Sequence, residues 1–156
     1  MTKETREFIQ GRLARRRADL RAATGGLREA QALAVRVSPA WTVLDALRHI
    51  LAWQEVTLRS LDDWLGPRDF MPPTEDEDER NVALLAERAG LGLMETLGRI
   101  EASYERFESL LRASDAELAE VGLAPWGERI TRLQAISGIL WHDGEHLREV
   151  IAALRL

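Results

Sequence analysis

The 156-residue sequence predicts an all-α protein folded as a four-helix bundle. Three observations carry that reading. Few segments favour strands, apolar residues recur at helical spacing along the chain, and the interruptions leave four long helices joined by short connections. No self-similarity appears at solenoid periods, and the length fits one domain over residues 1–156.

The first long helix is expected from about Lys3 to Ala23, with Phe8, Ile9, Leu13 and Leu20 on its apolar face. Thr24-Gly25-Gly26 stops it. Residues 27–34 add a further turn or two, and Val35 to Trp41 crosses over extended, since Pro39 disfavours helix at Ser38. The second long helix starts at Thr42-Val-Leu-Asp45, a capping box whose two side chains satisfy orphan backbone donors. It runs to about Leu65 and ends at Gly66-Pro67. Pro67 to Asp78 is a surface loop. The third helix covers roughly residues 78–112 with a bend or break at Gly90 and Gly92. Ser114-Asp-Ala-Glu117 caps a short helix, and Gly122 to Gly127 is a loop around Pro125-Trp126. The fourth long helix spans about Glu128 to Leu154.

Hydrophobic residues at 46% and charged residues at 30% form an ordinary globular balance, which sets aside disordered and fibrous classes. With no apolar run near 18 residues and no signal-peptide pattern, a soluble cytoplasmic protein is expected, not a membrane protein. The absence of cysteine excludes disulfides, iron–sulfur clusters, thiolate zinc sites and a cysteine nucleophile. A net charge of −5 argues against nucleic acid as a partner. One basic cluster, Arg12, Arg15, Arg16, Arg17 and Arg21, reads either as a solvated helix face or as a phosphate contact. The second reading lacks interleaved aromatics and any nucleic-acid motif.

The chain holds three histidines: His49, His142 and His146. The last two stand four residues apart in Trp141-His-Asp-Gly-Glu-His146, so they project from one helical face. They continue a stripe of Ala135, Ile139, Val150 and Ala153, which runs beside a second stripe that includes Leu140, Gly144 and Leu147. His49 likewise shares a stripe with Ala46, Trp53 and Val56. Buried imidazoles need partners, and one shared metal ion would satisfy all three. Separate core histidines bonded to carbonyls or carboxylates are the competing reading.

The carboxylates nearby have open roles. Asp45 lies one turn before His49 and either caps the helix or orients the imidazole. Glu145 and Glu149 each follow a histidine by three residues, and either is a candidate general base or orienting partner, or a solvated helix charge. The motif differs from the His-Glu-x-x-His of metalloproteases, because Asp143 and Gly144 occupy the wrong positions. Of five tryptophans, most should anchor the core, and Trp53 is the one best placed to wall a pocket over a metal.

The run Trp41-Thr-Val-Leu-Asp-Ala-Leu-Arg-His49-Ile-Leu-Ala-Trp53, with His142-x-x-Glu-His146 and Val150-Ile151 downstream, resembles the DinB-like superfamily. These are four-helix bundles of the DinB/YfiT-like type, unrelated to the polymerase that shares the name. Gly66 to Leu111 is similar to the ClbS/DfsB branch, and the resemblance covers roughly residues 38–152. Some ClbS-like members lack the histidines that this chain has, so the metal-binding branch is the better comparison. The resemblance implies a divalent ion, nickel or zinc, held by His49, His142 and His146. It also implies relatives that are thiol-dependent transferases and isomerases using mycothiol or bacillithiol, or a hydrolase-like toxin-resistance protein, with homodimers common among them.

Three neutral imidazoles would leave an ion its charge and an open position, as catalytic sites do. Such an ion lowers the pKa of bound water or stabilises a thiolate. The expected function is therefore a metal-dependent hydrolase or thiol-dependent transferase acting on a small electrophilic molecule. Glu145 is the catalytic candidate, and a low-molecular-weight thiol is the candidate cosubstrate. The rival is a non-catalytic bundle that sequesters a ligand or a protein partner.

Overall fold

The structure is a computed structural model that describes residues 4–155. Helix α1 (Arg6–Thr24) begins where the Thr5 hydroxyl accepts a hydrogen bond from the Phe8 amide at 3.1 Å, while Lys3, the expected start, lies outside the described residues. It ends as foreseen, with Gly26 at φ 77°, a left-handed conformation that suits glycine. Ile9, Leu13 and Leu20 are buried, but Phe8 is 55% exposed and stands off the core.

Helix α2 (Glu29–Ala34) is the expected further turn, and an isolated bridge between Arg36 and Thr42 closes the extended crossing that follows it. The capping box then starts helix α3 (Val43–Asp62): the Thr42 hydroxyl accepts from the Asp45 amide at 3.1 Å, and Asp45 accepts from the Thr42 amide at 3.0 Å. Helix α3 stops a turn short of Leu65. It is buried over most of its circumference, as an apolar helix at the centre of a packed layer must be.

The long third helix is two. Helix α4 (Glu77–Ala86) and helix α5 (Leu93–Leu110) are separated by a complete break at the glycine pair, and Gly92 becomes the N-cap of α5. Gly92 has no side chain to offer, so the Glu29 carboxylate of α2 reaches across and accepts from the Leu93 amide at 2.9 Å. Helix α6 (Asp115–Leu118) carries the Ser114/Glu117 capping box.

The segment read as a loop holds an antiparallel hairpin, β1 (Val121–Leu123) and β2 (Arg129–Thr131), so helix α7 (Arg132–Arg155) starts later than Glu128. Tertiary contacts fix it there. The Trp64 indole donates to the Glu120 carbonyl at 2.8 Å, and Gly122 lies flat on the same ring, where a Cβ would come within 2.5 Å of an indole carbon. Gly127, at φ 97°, closes the turn.

The four long helices form a bundle in which α3 packs against α5 and α7, and α1 packs against α7 and α5. Chain neighbours α1 and α3 therefore occupy opposite corners, as do α5 and α7. The hydrophobic core runs between all four. The arginine cluster of α1 is mostly built into this packing instead of standing as a solvated face. Arg12 donates to the Ser137 hydroxyl at 2.8 Å, Arg16 to the Leu140 carbonyl at 2.7 Å, and Arg17 pairs with Glu108 at 2.9 Å. No helix among the described residues is long and apolar enough to cross a membrane.

Candidate metal centre and its pocket

Because α3 and α7 are packed neighbours, His49 meets His142 and His146 inside the bundle. The Nε2 atoms of His49 and His142 lie 3.1 Å apart, and one nitrogen from each of the three rings falls within 4.8 Å of the others. Ring centroids are separated by 4.5 Å for His49–His146 and 4.6 Å for His142–His146. Two nitrogens each bound about 2.0–2.1 Å from one ion would sit about 2.9–3.4 Å apart, so the observed spacing fits a divalent metal. A lone N–H···N hydrogen bond would also suit the close pair, but it leaves the convergence of the third ring unexplained.

The electrostatics favour neutral donor rings. Burial, and then the neighbouring His146 and His142, push the pKa of His49 from 6.5 down to about 2. Burial lowers His146 as well, with His142 adding to the effect and Glu149 opposing it. His49 is 3% exposed, whereas the side chains of His142 and His146 keep 28% and 19% of their surface open to solvent. The cluster thus has a closed back and an open front.

Each α7 histidine has a carboxylate beside its Nδ1. Glu149 Oε2 lies 3.2 Å from His146 Nδ1. Asp143 Oδ1 lies 3.6 Å from His142 Nδ1, and among the described residues both atoms are buried without a hydrogen-bond partner. Asp143 is fully buried and its other oxygen accepts from Gln54 Nε2 at 2.7 Å. Burial, reinforced by the Asp143 charge, holds the Tyr104 phenol well above its usual pKa. Arg16 crosses from α1 against Gly144, where any Cβ would collide with the guanidinium.

Of the other residues singled out in the sequence, Asp45 serves the cap of α3 and pairs with Arg48 at 3.4 Å. Glu145 is half-exposed and bonded to Arg148. Trp53 lies along the cavity in front of the histidines, its ring centroid 6.3 Å from that of His142 and its indole N–H donating to Asn81 at 2.8 Å. Sequence reading gave Asp143, Gln54 and Arg16 no role at the site. Their signal was there: each stands at a core register of its helix, as in Ile9-Leu13-Arg16-Leu20 and Leu140-Asp143-Leu147.

The cavity has a volume of about 650 Å³. Trp41 roofs His49 at 4.6 Å between ring centroids, and the hairpin brings Trp126 over α7. Gly138 makes room for that ring, since a methyl there would approach it to 3.1 Å.

The sequence model of the DinB superfamily matches residues 12–150, a span that includes all three histidines. The chain belongs to the DinB superfamily. Solved structures share the fold of this DinB protein at low identity. YfiT from Bacillus subtilis, described as a probable metal-dependent hydrolase with an unusual four-helix bundle topology, is 20% identical with a TM-score of 0.75, covering 99% of this chain and 89% of its own. An uncharacterised protein from Clostridium difficile 630 is 12% identical with a TM-score of 0.79, covering 100% and 99%. A histidine-to-alanine mutant of the mycothiol-dependent maleylpyruvate isomerase is 19% identical with a TM-score of 0.65, and this DinB chain spans 62% of that longer one. Among curated proteins, none matches by sequence.

Proposed function

We propose that this DinB protein is a metal-dependent enzyme acting on a small electrophilic molecule, with His49, His142 and His146 as the ligands of one nickel or zinc ion. The convergence of three imidazole nitrogens from two helices within 4.8 Å carries the reading. When bound, the ion would supply Lewis acidity and an activated water or thiol for hydrolysis or group transfer. Glu149 would hold the proton of His146 on Nδ1 and so present Nε2 as the donor atom. Asp143 would do the same for His142 after a small ring rotation closes the 3.6 Å gap. The indoles of Trp41 and Trp53 would keep bulk water from the reacting face. Glu145, solvent-accessible, one turn after His142 and next to His146 in the chain, is the proposed proton carrier, released from Arg148 during turnover.

Two of the structural neighbours support hydrolysis and thiol-dependent chemistry respectively, through what they are described as doing. Elemental analysis of the purified protein, beside the H49A/H142A/H146A variant, tests the ligand assignment. One ion per chain, lost in the variant, is expected; equal and negligible metal in both would refute it. Turnover is then sought with ester substrates and with thiol-plus-electrophile pairs. E145Q should slow it while leaving metal content unchanged. A metal-loaded protein inert across both panels would favour a bundle that sequesters its ligand.

A further inference from the structure

The walls of the cavity, apart from its histidine floor, have their own chemical character. Four indoles line it: Trp41, Trp53, Trp126 and Trp141. Among the described residues no arginine does. Among the described residues that line it, the ionisable side chains besides the histidines are Glu77, from the first turn of α4, and Glu128, from the hairpin. Both carboxylates are exposed at the rim, and neither has a hydrogen-bond or ion-pair partner among the described residues.

Several acidic side chains elsewhere on this surface are paired with arginines, as Glu55, Glu101, Glu108 and Glu145 are. At the rim two carboxylates from separate elements face one opening with no cation between them. Indole faces attract flat apolar groups and cations, and nearby carboxylates add to the second preference. A carboxylated or phosphorylated molecule would find no arginine among the described residues of these walls and would meet two like charges on entry. At about 650 Å³ the cavity suits a molecule of one or two rings with a short substituent.

From this lining we infer that the DinB pocket selects flat, apolar molecules bearing an ammonium-type positive charge, held between the indoles with the charge at the Glu77–Glu128 rim and the opposite end toward the histidines. The inference deepens the proposed function and rests on it for the reaction, and it disfavours thiols that carry carboxylates as cosubstrates.

Three probes with one ring system test it: naphthylmethyl-trimethylammonium, naphthylmethanol and naphthylacetate, titrated calorimetrically into the full chain. Titrations are run on the protein as isolated and after metal removal, because a carboxylate can also ligate an ion. In the metal-stripped protein the expected order of affinity is ammonium, alcohol, carboxylate, with about tenfold between first and last. E77Q/E128Q should bring the three to within about twofold of one another, whereas W141A should weaken all three together. Both variants alter exposed side chains, and a thermal melt verifies that they fold. Equal or reversed order, an order insensitive to E77Q/E128Q, or no binding of any probe overturns the inference. Absence of the order after stripping a protein that carries metal as isolated rejects this inference alone; the order present in a protein that never carries metal rejects the ligand assignment alone.

Discussion

At the level of single side chains, the most informative residue is Asp143. It is a fully buried carboxylate with one oxygen satisfied by Gln54 and the other directed at His142 without bonding it. A buried charge with a spare acceptor is costly unless something uses it. Orienting an imidazole is such a use. Asp143→Asn keeps the shape and removes the charge, and it should weaken zinc affinity about 10- to 100-fold in a chelator competition assay. The same variant should melt cooperatively; a loss of metal together with a loss of folding would mean that the residue is only structural. Residue-level chemistry also sets an acid limit. In the folded, metal-free protein His49 stays neutral down to about pH 2, whereas the unfolded chain protonates it near 6.5. Below 6.5 the unfolded state therefore binds more protons, and stability falls as pH falls. Urea unfolding of stripped protein should show a loss on the order of 2 kcal/mol between pH 7 and 5, and H49A should show a smaller slope. The histidine trio was legible because helical spacing and apolar stripes fix which residues face inward. Asp143 was not, because a charge at a core register looks like an exception until the partners from α3, α5 and α1 are in view.

Among the helices and the hairpin, the contact between Glu29 and the N-terminus of α5 fastens the crossing segment to the rest of the bundle. It places a negative charge at the positive end of a helix whose cap residue is glycine. Glu29→Ala should cost about 1 kcal/mol and lower Tm by about 2–4 °C, read by calorimetry, while Glu29→Gln should retain part of the loss. Helix starts at Thr42 and Ser114 were readable because a capping box is written locally. The β1–β2 hairpin was not. Its strands are three residues long, and Trp64 and Glu120 hold it in place instead of any alternating pattern of its own. The split between α4 and α5 fell between these cases: two glycines marked where a break was affordable, and the Glu29 contact with Leu93 accompanies a complete one.

For the molecule as a whole, the bundle class followed from periodicity, but the corner arrangement did not. Short connections suggest that consecutive helices are neighbours, whereas here α2 carries the chain from α1 to the opposite corner at α3. That arrangement is what sets α3 against α7. If the three histidines bind an ion, the folded state alone should bind it tightly, and saturating zinc at about 100 times its Kd should add about 2.7 kcal/mol of stability. Differential scanning calorimetry with and without chelator measures this; a melting temperature indifferent to zinc in the wild type would count against a preformed site.

The distance along the chain between His49 and His142 has one more consequence. If the proposed ligands hold one ion, a single cut in the exposed stretch between α3 and α4 would divide them, one imidazole on the first piece and two on the second. Neither piece could then complete that coordination sphere alone, so an ion would add to the grip that the shared hydrophobic core already gives. A nicked form of this protein would then be a heterodimer that the ion tightens.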